Sequence, residues 1–554
     1  MDVNGTYPQA GTQPGTQPGT QTGTQPYAQA YGYPAIPVPV KLPKRENLFK
    51  PEIADLVFAL VAFVLGYVFS RWVLFWWLGW GVTAFTAVYL FSVTIYLIKK
   101  NVFRQGLATW FWFAVTMTIG ASYALWENAG FAFVKALFLF CSATYYLIIA
   151  SGNPIMGKTG NYLLIDGFNA VIIVPFRNFF NQYVSFSAIG KDDHWKKKGF
   201  SVFIGVVLTI ILAAILIPLL ERADSGGFGI VLRFIADIFD FINLEFILYA
   251  VLAVPIAAYL YGLASGVAHK KGLNVIRCEA VERAVPKLRF LQQMTIIIVL
   301  SAVCALYLIF ILSQIPYFFS AFTGERPEGW LLYSQYARHG FFELCSIAAI
   351  NLIILLACNV TCKKHRLESS ILKVFNILLS LITLVLIATA FSKMALYIDA
   401  FGLTMPRLMP CVFMVFLAAV FIALIVMQKL SFSIVRFALV TGAIIMCVLS
   451  AVNPDAMVVR YNTNRYLSGT LLQYDTEILY RAGSAGVLPA IRVYNETRDQ
   501  DLKEEIRWYL IINYGLHKHA PHSYSLESLT SQQALAAGGF TPIIPDVSEA
   551  KALS

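Results

Sequence analysis

Long apolar runs separated by short polar segments dominate the hydrophobic pattern of this chain. A helix needs about 20 mostly apolar residues to cross the hydrocarbon core of a bilayer. Eleven runs meet or approach that length, at residues 53–70, 73–98, 107–125, 131–150, 200–220, 245–268, 293–313, 341–360, 371–391, 410–428 and 434–452. The pattern therefore predicts an all-α, polytopic integral membrane protein with about eleven transmembrane helices.

Two shorter segments, residues 163–184 and 230–242, differ from these runs. Each carries apolar residues on one side and charged residues on the other. Such one-sided segments are typical of helices that lie in the plane of the membrane surface. We therefore expect both segments to lie along the interface.

The ends of the chain differ in composition from the predicted transmembrane domain at 51–452. Residues 1–50 include the repeat GTQPGTQPGTQTGTQP, which has no hydrophobic pattern and predicts a disordered tail. This tail also lacks the basic start and cleavage site of a signal peptide. Residues 453–554 contain two segments with helical spacing, Thr470–Gly483 and Asp499–Lys518, which predict a small helical region with a loosely ordered end.

Composition and charge support a membrane protein and set its expected orientation. Hydrophobic residues make up 58% of the chain and charged residues 13%, and the mean hydropathy is +0.66. The loops on the N-terminal side of the membrane carry about three times as many lysines and arginines as the other loops. This bias predicts a cytoplasmic N-terminus and, with an odd number of spans, an extracytoplasmic C-terminus. These loops also explain the net charge of +11, so we expect the lipid bilayer, and not nucleic acid, as the partner.

The stretch GNPIMGKT, Gly152–Thr159, matches the phosphate-binding pattern G-x-x-x-x-G-K-[ST]. In a nucleotide-binding fold this loop follows a β-strand, precedes a helix and places its lysine at the outer phosphates. Here the stretch follows an apolar run of membrane-spanning length, and Asp166 comes too soon to end a separate parallel strand. We therefore interpret its glycines and proline as helix breakers and Lys158 as a membrane anchor, and we do not expect nucleotide binding.

Histidines and cysteines give little support for a metal or redox site. The stretch LHKHAPH contains His517, His519 and His522. These histidines are the only residues that suggest a metal site or a membrane-embedded enzyme. No Cys, Asp or Glu lies near enough in sequence to complete such a site, so we interpret the trio as a polar turn. Most of the eight cysteines lie inside apolar runs, which excludes a disulfide framework. We expect no metal, no cofactor and no catalytic cluster.

Polar side chains at the membrane are the strongest functional candidates, because each is costly there. The stretch YARHGFFELCSIAAINL contains Arg338, His339, Glu343 and Asn351. Glu343 has two interpretations: it fixes helix packing, with Arg338 about one turn away as its partner, or it binds a cation or proton at the outer mouth of a pathway. Asn351 lies on nearly the same helix face and can hydrogen-bond a neighbouring helix.

Two further pairs of charges lie at the ends of predicted spans. Asp399 and Arg407 surround a glycine and proline break in SKMALYIDAFGLTMPRL. Glu127 and Lys135 flank the start of the run at 131–150, where we expect both side chains to snorkel toward the interface.

Three stretches of the sequence carry a family resemblance. YSQYARHGFFELCSIAAINL (Tyr333–Leu352), YIDAFGLTMPRL (Tyr397–Leu408) and NPDAMVVRYNTNRYL (Asn453–Leu467) together resemble a family of bacterial multi-pass membrane proteins that is catalogued as a domain of unknown function. The resemblance implies a location in a bacterial cell membrane. It implies no reaction, substrate or cofactor.

These observations favour a transporter or permease. Many spans, a glutamate that opens a late span, and Pro255 inside the sixth span, where a kink frees backbone groups, are typical of transporters. The alternative is a non-enzymatic sensor or assembly factor of the cell envelope, which contacts a partner through its outer C-terminal region. Uptake by proteoliposomes distinguishes the two.

Overall fold

The computed structural model describes residues 49, 51–75, 79–127, 129–154, 160, 162–187, 212, 244–270, 283, 285–322, 330–363, 369–516 and 521–540. These residues are mostly helical, and strand pairing among them is limited to one isolated bridge between Leu291 and Cys362. The all-α prediction is therefore confirmed for this part of the chain. Helices are expected in lipid, because a backbone without water must satisfy its own hydrogen bonds.

Eighteen helices follow one another in the described part of the chain. In order they are α1 (Ile53–Trp72), α2 (Trp80–Lys99), α3 (Leu107–Leu125), α4 (Ala132–Ala150), α5 (Leu163–Phe168), α6 (Val174–Arg177), α7 (Asn181–Ser187), α8 (Leu244–Ala268), α9 (Gln293–Phe322), α10 (Trp330–Thr361), α11 (Ser370–Phe401), α12 (Met405–Val426), α13 (Ile434–Val452), α14 (Pro454–Leu467), α15 (Glu477–Ala482), α16 (Val487–Glu496), α17 (Gln500–Leu516) and α18 (Leu526–Ala537). A π-helical turn, Asn169–Ile173, joins α5 to α6.

Nine helices of the described chain are long and apolar enough to cross a membrane, namely α1, α2, α4 and α8 to α13. The predicted span at 107–125 forms helix α3, but its threonines, glycine, serine, tryptophans and tyrosine lower its mean hydropathy, and it is not among the nine. The predicted span at 200–220 lies outside the described residues except for Leu212, and so do the segment 230–242 and nearly all of the N-terminal tail. The protein is thus multi-pass, and the count of eleven spans stays a prediction.

The long helices run between two faces of the molecule. Helix α1 begins where Asp55 contacts His269, directly after α8. It ends near Gly79, where an added Cβ would meet the backbone of Ser523 in the C-terminal region. We call these the opposite face and the tail face. Helix α13 ends on the tail face as well, since α14 follows it directly after Asn453.

Small residues let α1 and α8 approach each other closely. A Cβ atom added at Gly66 would lie 2.5 Å from the carbonyl oxygen of Ala253. Ala62 and Ala257 are fully buried, and small side chains of this kind are typical of tight membrane helix pairs. The pair belongs to a buried core shared with α2, α3 and α4, whereas a second core joins α9 to α12.

Residues 163–187 form a broken helical segment with its polar side turned inward. Gln182 donates a hydrogen bond to the carbonyl of Ala59 at 2.9 Å, and the hydroxyls of Ser185 and Tyr261 lie 2.7 Å apart. Several of its apolar side chains are exposed, including Leu164 at 87%. This arrangement is the reverse of the interfacial helix that the sequence suggested, in which the polar side faces water.

Helix α11 continues to Phe401, beyond the predicted end at 391. The break that the sequence predicts falls at residues 402–404, and Gly402 has a φ of 76°, a conformation that favours glycine. Arg465 from the C-terminal region donates hydrogen bonds to the carbonyls of Ile398 and Asp399. Hydrogen bonds from Arg465 therefore stabilise the extra turns of α11, and hydropathy alone does not predict this contact.

Helices α14 to α18 form a third buried core on the tail face. Ser525 and Ser528 make a capping box at the start of α18, and Leu535 is fully buried. Ser531 donates a hydrogen bond to the carbonyl of Ser484 at 2.8 Å. Part of the stretch expected to be loosely ordered is therefore a capped and packed helix, while residues 541–554 lie outside the described chain.

Substitution of Gly66 tests the contact between α1 and α8. Gly66→Ala places a methyl group against a backbone oxygen, so we expect a loss of about 1–3 kcal/mol in the free energy of unfolding. Gly167→Ala in α5 is the matched control, because nothing lies within 4 Å of its added Cβ. Thermal unfolding of the purified protein in detergent measures both variants. Equal unfolding temperatures would contradict the close approach.

Candidate functional site

A cavity of about 680 Å³ lies among α1, α2, α4, α6 and α8. Its wall is almost entirely apolar and includes Phe69, Phe85, Phe140, Phe179, Ile256 and Leu260. Hydroxyl-bearing side chains in the wall are Thr86, Tyr89, Tyr123, Thr144 and Tyr259. The size is typical of small-molecule sites, which occupy about 300–1,000 Å³.

The cavity is not closed on its α4 and α6 side. Phe133, Leu137 and Phe140 of α4 belong to the wall and are at least 43% exposed. Phe176 of α6 also belongs to the wall and is 60% exposed. Since these residues lie on membrane helices or beside them, the opening faces the region that lipid occupies.

Pro255 lies in the cavity wall, inside helix α8. A proline has no N–H to bond the carbonyl four residues earlier, which here belongs to Val251. The residue that the sequence singled out as a kink therefore brings a freed backbone acceptor close to the cavity.

Lys135, in the first turn of α4, lies beside the tail-face end of the cavity. Its side chain has no exposed surface, and its Nζ is 3.9 Å from the ring centre of Tyr123 in the wall. No hydrogen-bond acceptor contacts this amine. The expectation that Lys135 snorkels to the interface is wrong, because the side chain is buried within electrostatic reach of Asp455 and Glu527.

Two carboxylates, Asp455 and Glu527, lie within electrostatic reach of Lys135. Glu127 contacts the side chain of Glu527 through its backbone N–H, and we call the four residues Glu127, Lys135, Asp455 and Glu527 the tail-face cluster. The backbone N–H of Gly130 donates to Asp455 at 3.3 Å. The backbone N–H of Glu127 donates to the side chain of Glu527 at 3.2 Å. The cluster thus joins the loop between α3 and α4 to α14 and α18.

The local sequence Asn-Pro-Asp explains how Asp455 reaches the cluster. Asn453 has a φ of 55°, and its side chain accepts a hydrogen bond from the N–H of Ala456, which caps α14. Pro454 fills the first helical position, where a missing N–H costs nothing. The side chain of Asn453 also donates to Glu527. The third motif of the sequence therefore starts α14 and holds two carboxylates in place.

Burial raises the pKa of both carboxylates that lie outside the membrane helices. The pKa of Asp455 is raised to about 6, although the N–H of Gly130 and the charge of Lys135 act in the other direction. The pKa of Glu527 is raised to about 7, with the neighbouring charges of Glu127 and Asp455 adding to the effect of burial. Both groups therefore change protonation near neutral pH.

The second and third motifs meet directly on the tail face. Asn462 accepts a hydrogen bond from the N–H of Leu403 at 2.7 Å and donates to the carbonyl of the same residue at 2.6 Å. Arg465 pairs with Asp399 at 3.0 Å. Arg407 donates to the carbonyls that end α11 and lies over the ring of Tyr397 at 4.3 Å. The predicted candidates Asp399 and Arg407 thus hold α11, α12 and α14 together.

Asn351 joins three helices of the second core. It is fully buried, its amide oxygen accepts from the hydroxyl of Tyr307 at 2.8 Å, and its amide nitrogen donates to Thr383 at 3.0 Å. Helices α9, α10 and α11 therefore share one polar contact, which is the interhelical bond that the sequence analysis considered for this residue.

The structure places Glu343 apart from the tail-face cluster. Its side chain is exposed and interacts electrostatically with Lys393 of α11. Gly340 allows this approach, since an added Cβ would lie 3.0 Å from the amine of Lys393. Arg338 and His339 lie in α10, but their side chains are outside the described part of the structure.

Asp55 forms a second charged cluster, on the opposite face. Its carboxylate is fully buried and accepts from the hydroxyl of Tyr96 at 2.6 Å and from Lys100 at 3.2 Å. The Nε2 atom of His269 lies 2.9 Å away. The sequence analysis missed this cluster because its partners are 41, 45 and 214 residues distant along the chain.

The first residues of the phosphate-binding pattern, Gly152 and Asn153, close the C-terminal end of helix α4. Gly152 has a φ of 68°, its N–H bonds the carbonyl of Ile149, and the next N–H, of Asn153, bonds that of Ile148. Helix α4 precedes the pattern, where a nucleotide-binding loop would follow a strand. Lys158 and Thr159 lie outside the described residues.

The histidine trio is described only at His522. This ring stacks on Trp72 with centroids 6.1 Å apart, which contributes to the contact between the C-terminal region and α1. His517 and His519 lie outside the described residues. Within the described chain, no group of three or more His, Cys, Asp or Glu side chains is arranged to hold a metal ion.

Comparison with protein families gives one match. The model of a family described as Domain of unknown function (DUF4153) matches residues 113–493. This confirms the resemblance that the three motifs carry. No curated protein and no solved structure matches the chain.

The tail-face cluster predicts a pH dependence of stability. Because folding raises both pKa values, the folded protein binds these protons more tightly than the unfolded chain does. Their contribution to stability is complete below about pH 4 and is lost as the pH rises through about 6 to 7. We expect a loss on the order of 3 kcal/mol for each carboxylate over this range.

Thermal unfolding of the wild type and of an Asp455→Asn, Glu527→Gln double variant measures this loss. The wild type should unfold at a lower temperature near pH 8 than near pH 5. The double variant should have a flatter profile, because its amides do not titrate. Identical slopes in the two proteins would exclude these carboxylates as the cause.

Proposed function

The chain belongs to the DUF4153 family, and we propose that it is a transporter whose cargo is an apolar or amphipathic molecule taken from the bilayer. The cavity among α1, α2, α4, α6 and α8 carries this proposal. Its wall offers hydrocarbon contacts and a few hydroxyls, which suits a molecule with a long apolar part and a small polar part. A sugar or a free ion would leave its polar groups unsatisfied there.

The position of the opening supports entry from the bilayer. Exposed wall residues such as Phe133 and Phe176 lie where a lipid-soluble molecule arrives without crossing water. Pro255 removes one backbone hydrogen bond inside the continuous helix α8, and backbone groups freed beside a mid-membrane site are typical of transporters. The cavity and its proline therefore favour transport over a purely structural role.

We also propose that the protein lies in a bacterial cell membrane with eleven spans and a cytoplasmic N-terminus. The tail face is then extracytoplasmic. In support, α4 ends on the opposite face and α8 begins on the tail face, where Phe246 lies 5.4 Å from Tyr67. The alternation of basic loops favours the same orientation.

Single cysteines test this orientation in a variant whose eight natural cysteines are replaced by alanine. Ser468→Cys on the tail face should react with an impermeant thiol reagent in intact cells. Ser431→Cys, in the loop between α12 and α13, is the matched position on the opposite face, and both serines are exposed. It should react only after the membrane is opened. The reverse pattern would overturn the proposed orientation.

One observation favours a second candidate, a sensor or assembly factor that binds a partner through the C-terminal region. Large apolar side chains on this region are exposed, among them Leu472 at 85%, Trp508 at 57% and Leu488 at 52%. Exposed apolar groups of this kind are typical of protein interaction surfaces. Such a role needs no cargo in the cavity, so the two candidates differ in what the cavity holds.

The proposal that Glu343 binds a cation or proton is separate from the cavity. Its neighbour Lys393 supplies a positive charge, which supports a packing role as much as a pathway. Transport that survives Glu343→Gln would favour packing.

Photo-crosslinking in cells tests the cavity. A benzoylphenylalanine at Phe140, in the wall, should capture a molecule that the same group at Phe413 does not capture. The two positions are matched, because Phe140 is 43% and Phe413 45% exposed. Mass spectrometry of the purified adduct identifies the molecule. Capture of the same bulk phospholipids at both positions would contradict a selective site.

Uptake of the captured molecule into proteoliposomes then tests transport. Ala143→Trp fills the cavity, and we expect uptake to fall by about tenfold or more, equivalent to about 1.4 kcal/mol. Ala302→Trp is the matched control, since Ala302 is exposed on α9 away from the wall. Equal uptake by the two variants would contradict the cavity as the route.

A further inference from the structure

Lys135 has an amine buried in an environment that leaves it without an acceptor. Its side chain is 0% exposed and makes no hydrogen bond. The neighbouring hydroxyl of Tyr123, in the cavity wall, is also buried without a partner. A charged or polar group buried without a partner costs several kcal/mol, and groups retained at such a cost are candidates for function.

The titratable groups around Lys135 come from three different helices. Asp455 on α14 and Glu527 on α18 lie within its electrostatic reach, and the ring of Tyr123 on α3 lies 3.9 Å from its amine. Glu127, which follows α3, contacts Glu527. The carboxylates are held by other donors: Asp455 by a backbone N–H, Glu527 by a backbone N–H and Asn453, and Glu127 by the N–H of residue 484. The acids nearest Lys135 are thus bound to other donors, and no hydrogen bond joins acid and amine.

We infer that the tail-face cluster is a proton-binding site that couples movement of the cargo to a proton gradient, an inference that rests on the proposed transport function. The cluster lies between the tail face and the cavity wall, so a proton bound there sits next to the cargo. Glu527 is partly exposed, which gives the cluster a contact with water. Buried ionisable groups in this position are typical of proton relays.

The proton steps balance within the cluster. A proton from water on the tail face binds the carboxylate of Glu527 or Asp455 and forms a carboxylic acid. Transfer to the neutral amine of Lys135 restores the carboxylate and forms an ammonium ion. The ring of Tyr123, 3.9 Å away, stabilises this cation through its π face. The ammonium ion then gives its proton to a water molecule, which restores the neutral amine and completes the cycle. The raised pKa values of Asp455 and Glu527 agree with proton exchange near neutral pH.

Two consecutive residues of α4 connect the tail-face cluster to the cavity. Lys135 faces the cluster, whereas Ala136 belongs to the cavity wall. Tyr123 contributes its ring to both. A change in the charge of Lys135 therefore changes the field and the packing at the tail-face end of the cavity, where it alters the affinity for cargo.

Infrared difference spectroscopy tests proton binding without any cargo. The full-length protein in nanodiscs should gain a carboxylic-acid band when the pH falls from about 8 to about 5. The Asp455→Asn, Glu527→Gln double variant should lack most of this band. Lys135→Met, which removes the amine that accepts a proton and, once protonated, favours the ionised carboxylates, should shift the midpoint of the band to higher pH. Lys373→Met in α11 is the matched control and should leave the midpoint unchanged. A band that persists in the double variant would overturn the site.

Proteoliposomes and the cargo molecule identified by crosslinking test whether transport is coupled to the proton gradient. With one proton per cargo molecule, a pH gradient of one unit supports about tenfold accumulation. Lys135→Met should abolish accumulation but retain exchange of labelled for unlabelled cargo across the membrane. Lys135→Arg keeps the charge but holds its proton at all relevant pH values, so it should also lose accumulation. If Lys135→Arg accumulates cargo like the wild type, the amine has a structural role and the inference fails.

These measurements distinguish failure of the inference from failure of the proposed function. Transport that ignores the pH gradient in the wild type overturns proton coupling and leaves transport intact. A titrating band without any transport overturns the transport function, and with it the coupling, while proton binding stands. Where Lys135→Met fails to fold, Lys135→Gln replaces it in both assays.

Discussion

The interior of a bilayer has no water to satisfy polar groups, and the structure follows from this constraint. Backbone groups are satisfied within helices, and polar side chains find partners on neighbouring helices. Asn351 bonds two helices at once, and Gln182 turns inward to the backbone of α1. Where hydropathy alone would place a polar side against water, pairing inside the protein is favoured instead.

The two charged clusters respond to this constraint in different ways. Asp55 has direct hydrogen bonds from α2 and from its own N-terminal turn, and the ring of His269 lies 2.9 Å away, so its charge is compensated and it clamps three helices. Lys135 has no such partner, although the carboxylates of Asp455 and Glu527 lie within electrostatic reach of it. A fully paired network stabilises one arrangement, whereas leaving a buried polar group unpaired is costly. The difference in pairing therefore favours a structural role for the Asp55 cluster and supports the proposed proton exchange at the tail-face cluster.

Hydropathy predicted the membrane helices well because each depends on its own sequence. It could not predict which side of a helix faces the protein. Lys135 is a case in point: alone at a helix start it resembles a snorkelling lysine, but in the folded chain it is fully buried, within electrostatic reach of the distant Asp455 and Glu527. The contact of Glu527 with Glu127 spans 400 residues along the chain. The local sequence contains one usable signal, the Asn-Pro-Asp motif that starts α14. It does not identify Glu527 as the residue that this motif contacts.

The cavity and the tail-face cluster are connected by the first turn of α4. Successive residues there face different environments, Lys135 the carboxylates and Ala136 the cavity. Gly130, just before this turn, is bound to Asp455 through its N–H, so the start of α4 is tied to α14. A rearrangement of the cluster on protonation therefore acts on the wall through a rigid helix, with no need for a long chain of intermediate contacts. The first turn of α4 thus borders the cavity on the tail face and also responds to the charge of the tail-face cluster.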